Sequence, residues 1–195
     1  YACCFSSNSV LAYGGGNEQV AVAKSLMGNL LDSTKIIVDE DGLGTVYTVS
    51  WSPNCKFLTA GGDRKCLIIY DFEGQKILHR AQHLGAIHCS AFSPDSKTVY
   101  AGGHDDHITF WNVKSGDAIR QVGHSNWVNC IAASFDGYYI ASGGADRSLI
   151  LWDTSTGEKL QEMKNTTSVS ACSFSPDRDT LCFCLAGKDD NGKAI

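Results

Sequence analysis

A step of 41 residues runs through this chain and restricts its fold more than any other property. Trp111 and Trp152 are 41 apart, Tyr70 and Trp111 keep the same interval, and so do His83 and His124. Pro53, Pro94, Phe135 and Pro176 also advance by 41 each time. Within one period, residues 127–157 read WVNCIAASFDGYYIASGGADRSLILWDTSTG, directly after Gly123-His124. Apolar residues alternate in Val128-Cys130-Ala132, in Tyr139-Ala141 and in Leu149-Leu151, with Gly and Asp between the runs. Alternation with period two, bounded by turn residues, predicts three short half-buried strands rather than a helix. A unit of this length cannot bury its apolar faces alone, so consecutive copies must stack.

A repeat opened by Gly-His and closed by Trp-Asp marks a four-stranded propeller blade. On these residues the chain resembles the WD-repeat β-propeller family. The resemblance implies a polar tetrad in each blade: the His of Gly-His, a Ser or Thr on strand b, an Asp in the b–c turn and the Trp of strand c. Repeat four supplies all four as His124, Ser142, Asp146 and Trp152. The implied relay runs from indole to hydroxyl to imidazole to carboxylate, and a buried indole or imidazole without partners costs about 1–3 kcal/mol. His124 and Asp146, which could pass for a catalytic pair, are therefore expected to be structural. Repeat three has His83, Asp105 and Trp111 but Ala101 at the hydroxyl position, leaving a water or a direct contact to bridge the gap. Repeat two keeps only Tyr70 at the Trp position, with Gly42 and Arg64 at the His and Asp positions. Repeat one has Asn17 and Ala23 at the Asp and Trp positions, and repeat five has Asn165 at the His position.

The expected fold class is all-β, with four-stranded antiparallel blades over residues 45–80, 81–122 and 123–163 and partial ones over 1–44 and 164–195. That amounts to about four and a half blades, read as a fragment of the seven-bladed ring that the resemblance implies. The interval from Ala23 to Tyr70 is 47, longer than the period. The excess lies in 25–44, with an apolar clump at Leu26, Met27, Leu30 and Leu31, a strand d at 35–38 and an acidic turn at 39–42.

Composition excludes several classes. Net charge is −5 and there is no basic run, so the electrostatic footprint of direct nucleic-acid binding is missing. No apolar run approaches the ~20 residues that span a bilayer. Of nine cysteines, Cys89 and Cys130 keep the 41 step, while Cys172, Cys182 and Cys184 fall in strand-like runs. No Cys-x-x-Cys occurs, which favours reduced core thiols in a cytoplasmic or nuclear protein over zinc ligands or disulfides. The run His104-Asp105-Asp106-His107 suggests a metal site, but the tetrad claims Asp105 and no second cluster completes a coordination shell. No phosphate loop, nucleophile elbow or free acid–base pair appears, so no enzyme activity, cofactor, metal or small-molecule substrate is expected.

Function then falls to a surface, and the resemblance implies the rim made by d–a loops and b–c turns. The candidates there are Arg64, Lys65, His104, Asp106, Asn126, Trp127 and Arg147, with Asp63, Ser125 and Ala145 beside them. Trp127 is either an exposed anchor of hot-spot type or an indole packed on the neighbouring loop. The expected role is a non-catalytic scaffold for partner proteins or peptides in a multiprotein complex, with the apolar clump near Leu26–Leu31 as a second docking element. The resemblance also implies substrate recognition in a cullin-type ubiquitin ligase, or a structural role in a ribonucleoprotein or cytoskeletal assembly. The Arg of the ligase-type Trp-Asp-x-Arg is missing, because Trp152 is followed by Asp153-Thr154-Ser155 and Trp111 by Asn112-Val113-Lys114.

Overall fold

Antiparallel sheets follow one another along the chain, each a meander in which consecutive strands pair. The computed structural model describes residues 2–16, 19–26, 29–33, 37–38, 43–176 and 180–187. The first sheet holds β1 (Ala2–Phe5), β2 (Val10–Gly14), β3 (Gln19–Leu26) and β4 (Asn29–Ser33), with β5 (Ile37–Val38) also paired to β3. The second holds β6 (Val46–Trp51), β7 (Phe57–Gly62), β8 (Cys66–Asp71) and β9 (Lys76–Gln82). The third holds β10 (Ile87–Phe92), β11 (Thr98–Gly103), β12 (His107–Asn112) and β13 (Ala118–Gly123). The fourth holds β14 (Val128–Ala133), β15 (Tyr139–Gly144), β16 (Ser148–Asp153) and β17 (Lys159–Lys164). The described part of the last sheet is β18 (Val169–Phe174) and β19 (Leu181–Leu185). No helix among the described residues is long and apolar enough to cross a membrane.

Short local chemistry repeats each a–b turn. Ser93 Oγ donates to Asp95 Oδ1 at 2.7 Å and accepts the Thr98 N–H at 3.0 Å, while the Lys97 N–H meets Asp95 Oδ1 at 3.1 Å. Ser134, Asp136, Tyr138 and Tyr139 reproduce the set, and Ser52, Asn54, Lys56 and Phe57 do so with an amide oxygen. These side chains satisfy backbone donors where the ladder turns back.

The core lies between sheets. Tyr100, Ile108 and Phe110 of the third sheet pack with Val128, Ile131, Ile140, Ile150 and Trp152 of the fourth. The period-two pattern predicted half-buried strands, but β7, β8, β11, β12, β15 and β16 are buried along nearly their whole length. The reason is that each middle strand has a neighbouring sheet on both faces, as close-packed stacked sheets require. Each fully buried Ile, Leu or Val there contributes about 1.5–3 kcal/mol.

A second regularity sets the distance between sheets. An ideal Cβ on Gly61 would lie 2.8 Å from Ile87 Cγ2, on Gly102 3.1 Å from Val128 Cβ, and on Gly143 2.3 Å from Val169 Cγ1. A Cβ on Gly14 would lie 2.6 Å from Val46 Cγ1. In every case the second strand of one sheet leaves a socket for the first residue of the next sheet's inner strand.

Two expectations change. The extra residues after Ala23 lengthen β3 and form β4, in which Leu30 pairs with Ser25, so Leu26 and Leu30 belong to a hairpin of the first sheet. An extended edge recruits a partner strand where the backbone would otherwise stay unpaired. Cys182 and Cys184 are not core thiols but exposed on β19, whereas Cys89 and Cys130 are buried. All nine cysteines are free. The expected roles of Asn17, Met27, Gly42 and the turn at 39–42 lie outside the described residues.

Candidate functional site

Repeat four brings its four polar markers into one chain of hydrogen bonds. The Trp152 indole N–H donates to Ser142 Oγ at 2.7 Å, and Ser142 Oγ lies 2.7 Å from His124 Nε2. His124 Nδ1 lies 3.0 Å from both Asp146 oxygens. An indole can only donate, so with neutral His124 the Ser142 hydroxyl donates its hydrogen bond to Nε2 and Nδ1–H donates to the carboxylate. Burial alone would raise the Asp146 carboxyl. The Ser148 N–H, His124 and the Ser125 N–H outweigh it and hold the group below the usual carboxylate range. Ser142 is 0% exposed with its oxygen committed to the indole, so the Ser-His-Asp order offers no path for a substrate carbonyl.

Repeat three solves the missing hydroxyl by direct contact. The Trp111 indole N–H donates straight to His83 Nε2 at 3.0 Å, and His83 Nδ1–H donates to Asp105 Oδ2 at 3.2 Å. The rings have closed up: His83 and Trp111 centroids are 5.4 Å apart against 6.3 Å for His124 and Trp152. This gives a test. Ser142→Ala is expected to cost only about 1 kcal/mol in chemical denaturation, because Trp152 and His124 can close in the same way. A loss of several kcal/mol would show that the direct geometry is confined to repeat three.

The b–c turns carry three of the rim candidates in one backbone state. Lys65, Asp106 and Arg147 have φ of 62°, 64° and 66°, a left-handed conformation that long side chains adopt at a cost. Their carbonyls accept the N–H of His83, His124 and Asn165 at 2.7, 2.8 and 2.8 Å, tying each turn to the loop after strand d. Asp63 Oδ1 accepts the Thr45 N–H at 3.1 Å, and the neighbouring Arg64 N–H donates to Leu43 O at 3.3 Å. Asn126 Oδ1 accepts the Trp127 N–H at 2.8 Å.

His104 and Trp127 meet, and they are the end of something longer. Trp127 stacks on His104 with centroids 4.0 Å apart, His104 on His88 at 4.2 Å, and His88 on Tyr47 at 4.5 Å. Interplanar angles of 25°, 24° and 13° make this a ladder of four near-parallel rings across the second, third and fourth sheets. Trp127 is thus packed on the preceding repeat's turn and still 48% exposed. Burial first, and then His104, keep His88 below the usual imidazole range, and its buried Nε2 has no hydrogen-bond partner among the described residues. Leu84, 79% exposed, stands beside Gly85, where a Cβ would fall 2.7 Å from the His104 carbonyl carbon. Sequence reasoning missed Tyr47, His88 and Leu84. The available signal was the 41 step between Tyr47 and His88.

His104, Asp105, Asp106 and His107 do not converge on a cation. Asp105 serves His83, His104 is within the ladder, and His107 Nδ1 bonds the Asp105 carbonyl. Among the described residues no group of three or more His, Cys, Asp or Glu is placed to hold a metal ion.

No curated protein matches the chain. Among solved structures, a chain of "Crystal Structure of Mitotic Checkpoint Complex" superposes with a TM-score of 0.83 and 24% identity. The match covers 95% of this chain and 56% of that one, so the chain spans little more than half of that protein's length. The sequence profile described as "WD domain, G-beta repeat" matches residues 39–71, 74–112 and 117–153. These segments make up more than half of the 195 residues, and the chain is an all-β propeller segment that belongs to the WD-domain, G-beta repeat family.

Proposed function

We propose that this chain is a non-catalytic scaffold that holds partner proteins or peptides in a multiprotein complex, through the rim centred on Trp127 and His104. The observation that carries the reading is the ring ladder. It braces a half-exposed indole from behind, so that a partner meets a rigid aromatic face at little cost in side-chain entropy. Arg147, exposed on the adjoining turn, and Leu84 enlarge the same surface. The solved relative belongs to a complex, which suits a role in assembly. The fully committed tetrads and the acidic balance support neither turnover nor direct phosphate binding. The proposed setting is the cytoplasm or nucleus, where free thiols persist.

Trp127→Ala and Arg147→Gly, placed singly in the full-length protein, test the reading. Glycine suits the left-handed backbone at 147, so that variant removes a side chain without straining the turn. Partners recovered by the unaltered protein, measured by quantitative mass spectrometry with purified follow-up, are expected to bind at least about tenfold more weakly to Trp127→Ala. Unchanged affinity for every partner in both folded variants would overturn it.

A further inference from the structure

A cleft of about 410 Å³ opens between the third and fourth sheets. It is walled by a–b and c–d turns, whereas the rim around Trp127 is built from b–c turns and d–a loops at the other end of the strands. Tyr100, Phe110 and Ile119 line its apolar part, and Asp95, Asp136 and Arg120 its charged part.

The preceding junction shows why room is left here. Between the second and third sheets, Ser96 is 4% exposed and its Oγ accepts the Asn54 N–H at 3.2 Å, which ties the two a–b turns together. One period on, Gly137 stands at the Ser96 position. A Cβ on Gly137 would meet nothing nearer than Pro94 Cδ at 3.6 Å. The same step of the repeat therefore closes one junction with a side chain and leaves the next one open.

Charge decides what the cleft accepts. Asp95 Oδ1 is taken by Ser93 Oγ and the Lys97 N–H, while Oδ2 lies 3.3 Å from Lys97 Nζ in a well-exposed pair. Exposed pairs of this kind contribute about 0–1 kcal/mol, so an incoming cation competes with Lys97 on easy terms. Asp136 places a second carboxylate 41 residues further on. Against these two stands the guanidinium of Arg120, whose Nη2 already donates to Ser155 O at 2.7 Å. The lining is thus negative in sum, as is the whole chain at −5. We propose that the cleft binds an arginine or lysine side chain of a basic partner peptide. The aliphatic stem lies along Ile119 and the charged head meets the carboxylates of Asp95 and Asp136.

The test titrates the full chain into a fluorescein-labelled peptide, Gly-Leu-Arg-Leu-Gly with an amidated end, and reads anisotropy. A second peptide replaces arginine with citrulline, which keeps the stem and loses the charge. The arginine peptide is expected to saturate, and the citrulline peptide to bind at least about tenfold more weakly. Two variants borrow residues that equivalent turns already hold, so the fold persists. Asp95→Asn combined with Asp136→Asn removes both charges and keeps the turn acceptors, as Asn54 does in the second sheet. Gly137→Ser refills the cleft as Ser96 does, in the same left-handed backbone region, with φ of 80° at 137 and 62° at 96. Each variant should weaken the arginine peptide by about tenfold or more. Equal binding of the two peptides, an arginine peptide that never saturates, or full affinity in either variant overturns the proposal.

Discussion

His83→Ala is expected to destabilise the chain by about 4 kcal/mol and His124→Ala by about 3, read from chemical denaturation followed by tryptophan fluorescence. Both imidazoles are sealed from water, with side chains 1% and 0% exposed, and each serves a carboxylate only 5% exposed. The difference comes from what each deletion leaves behind. Without His124, Ser142 still accepts the Trp152 indole, and Asp146 keeps the N–H groups of Ser148 and Ser125 at 3.0 Å. Without His83, the Trp111 indole loses the acceptor it reaches directly, and the His107 N–H meets Asp105 Oδ1 only at 3.4 Å. An order in which His124→Ala is the more damaging would contradict this account of the relay.

The pH dependence gives the same prediction a second readout. Burial alone would raise the Asp105 carboxyl, but the hydrogen bond from His83, then the His107 and Leu84 N–H groups, hold it below the usual range. A carboxyl depressed in the folded state stabilises above its unfolded pKa of about 4, and that contribution is lost as pH falls through the lower folded value. In His83→Ala the upward push of burial faces weaker opposition. The stability gap between the unaltered chain and the variant should therefore narrow as pH falls through about 4 and below. A constant gap would mean that the imidazole contributes packing alone.

How much of this was legible beforehand follows from which contacts stay inside one repeat. The tetrad of repeat four joins residues at fixed offsets within the period, so the resemblance to WD-repeat chains was enough to place it. Repeat three left two options open for Ala101, and only coordinates could show the indole reaching His83. The ladder joins Tyr47, His88, His104 and Trp127 from three sheets, and no within-repeat offset encodes which rings from different repeats face one another. β4 lies where the period is broken, so the repeat offered no template for it. The half-buried strand pattern was misleading for a related reason. Alternation shows that a strand has a core face, and gives no sign that a second sheet covers the other face with small residues.

Those small residues carry the last expectation. Gly143→Ala should cost about 3 kcal/mol and Gly102→Ala about 1, although both put one methyl group at equivalent places 41 residues apart. At Gly143 the new Cβ falls 2.3 Å from Val169 Cγ1, 2.7 Å from Val169 Cβ and 2.8 Å from Cys130 Sγ. Val169 is fully buried, and no χ1 rotation moves its Cβ out of the 2.7 Å clash, so β18 itself must shift away from β15. At Gly102 the closest atoms are Val128 Cβ and Cγ1, both at 3.1 Å, which a displacement of a few tenths of an ångström relieves. Gly61 lies between them, with Ile87 Cγ2 at 2.8 Å. Thermal and chemical denaturation of the three variants should therefore rank Gly143, Gly61, Gly102 from most to least damaging, the order of their Cβ clashes. If all three cost the same, the penalty would belong to the strand backbone and not to the sockets, and the spacing of neighbouring sheets would have to be set elsewhere.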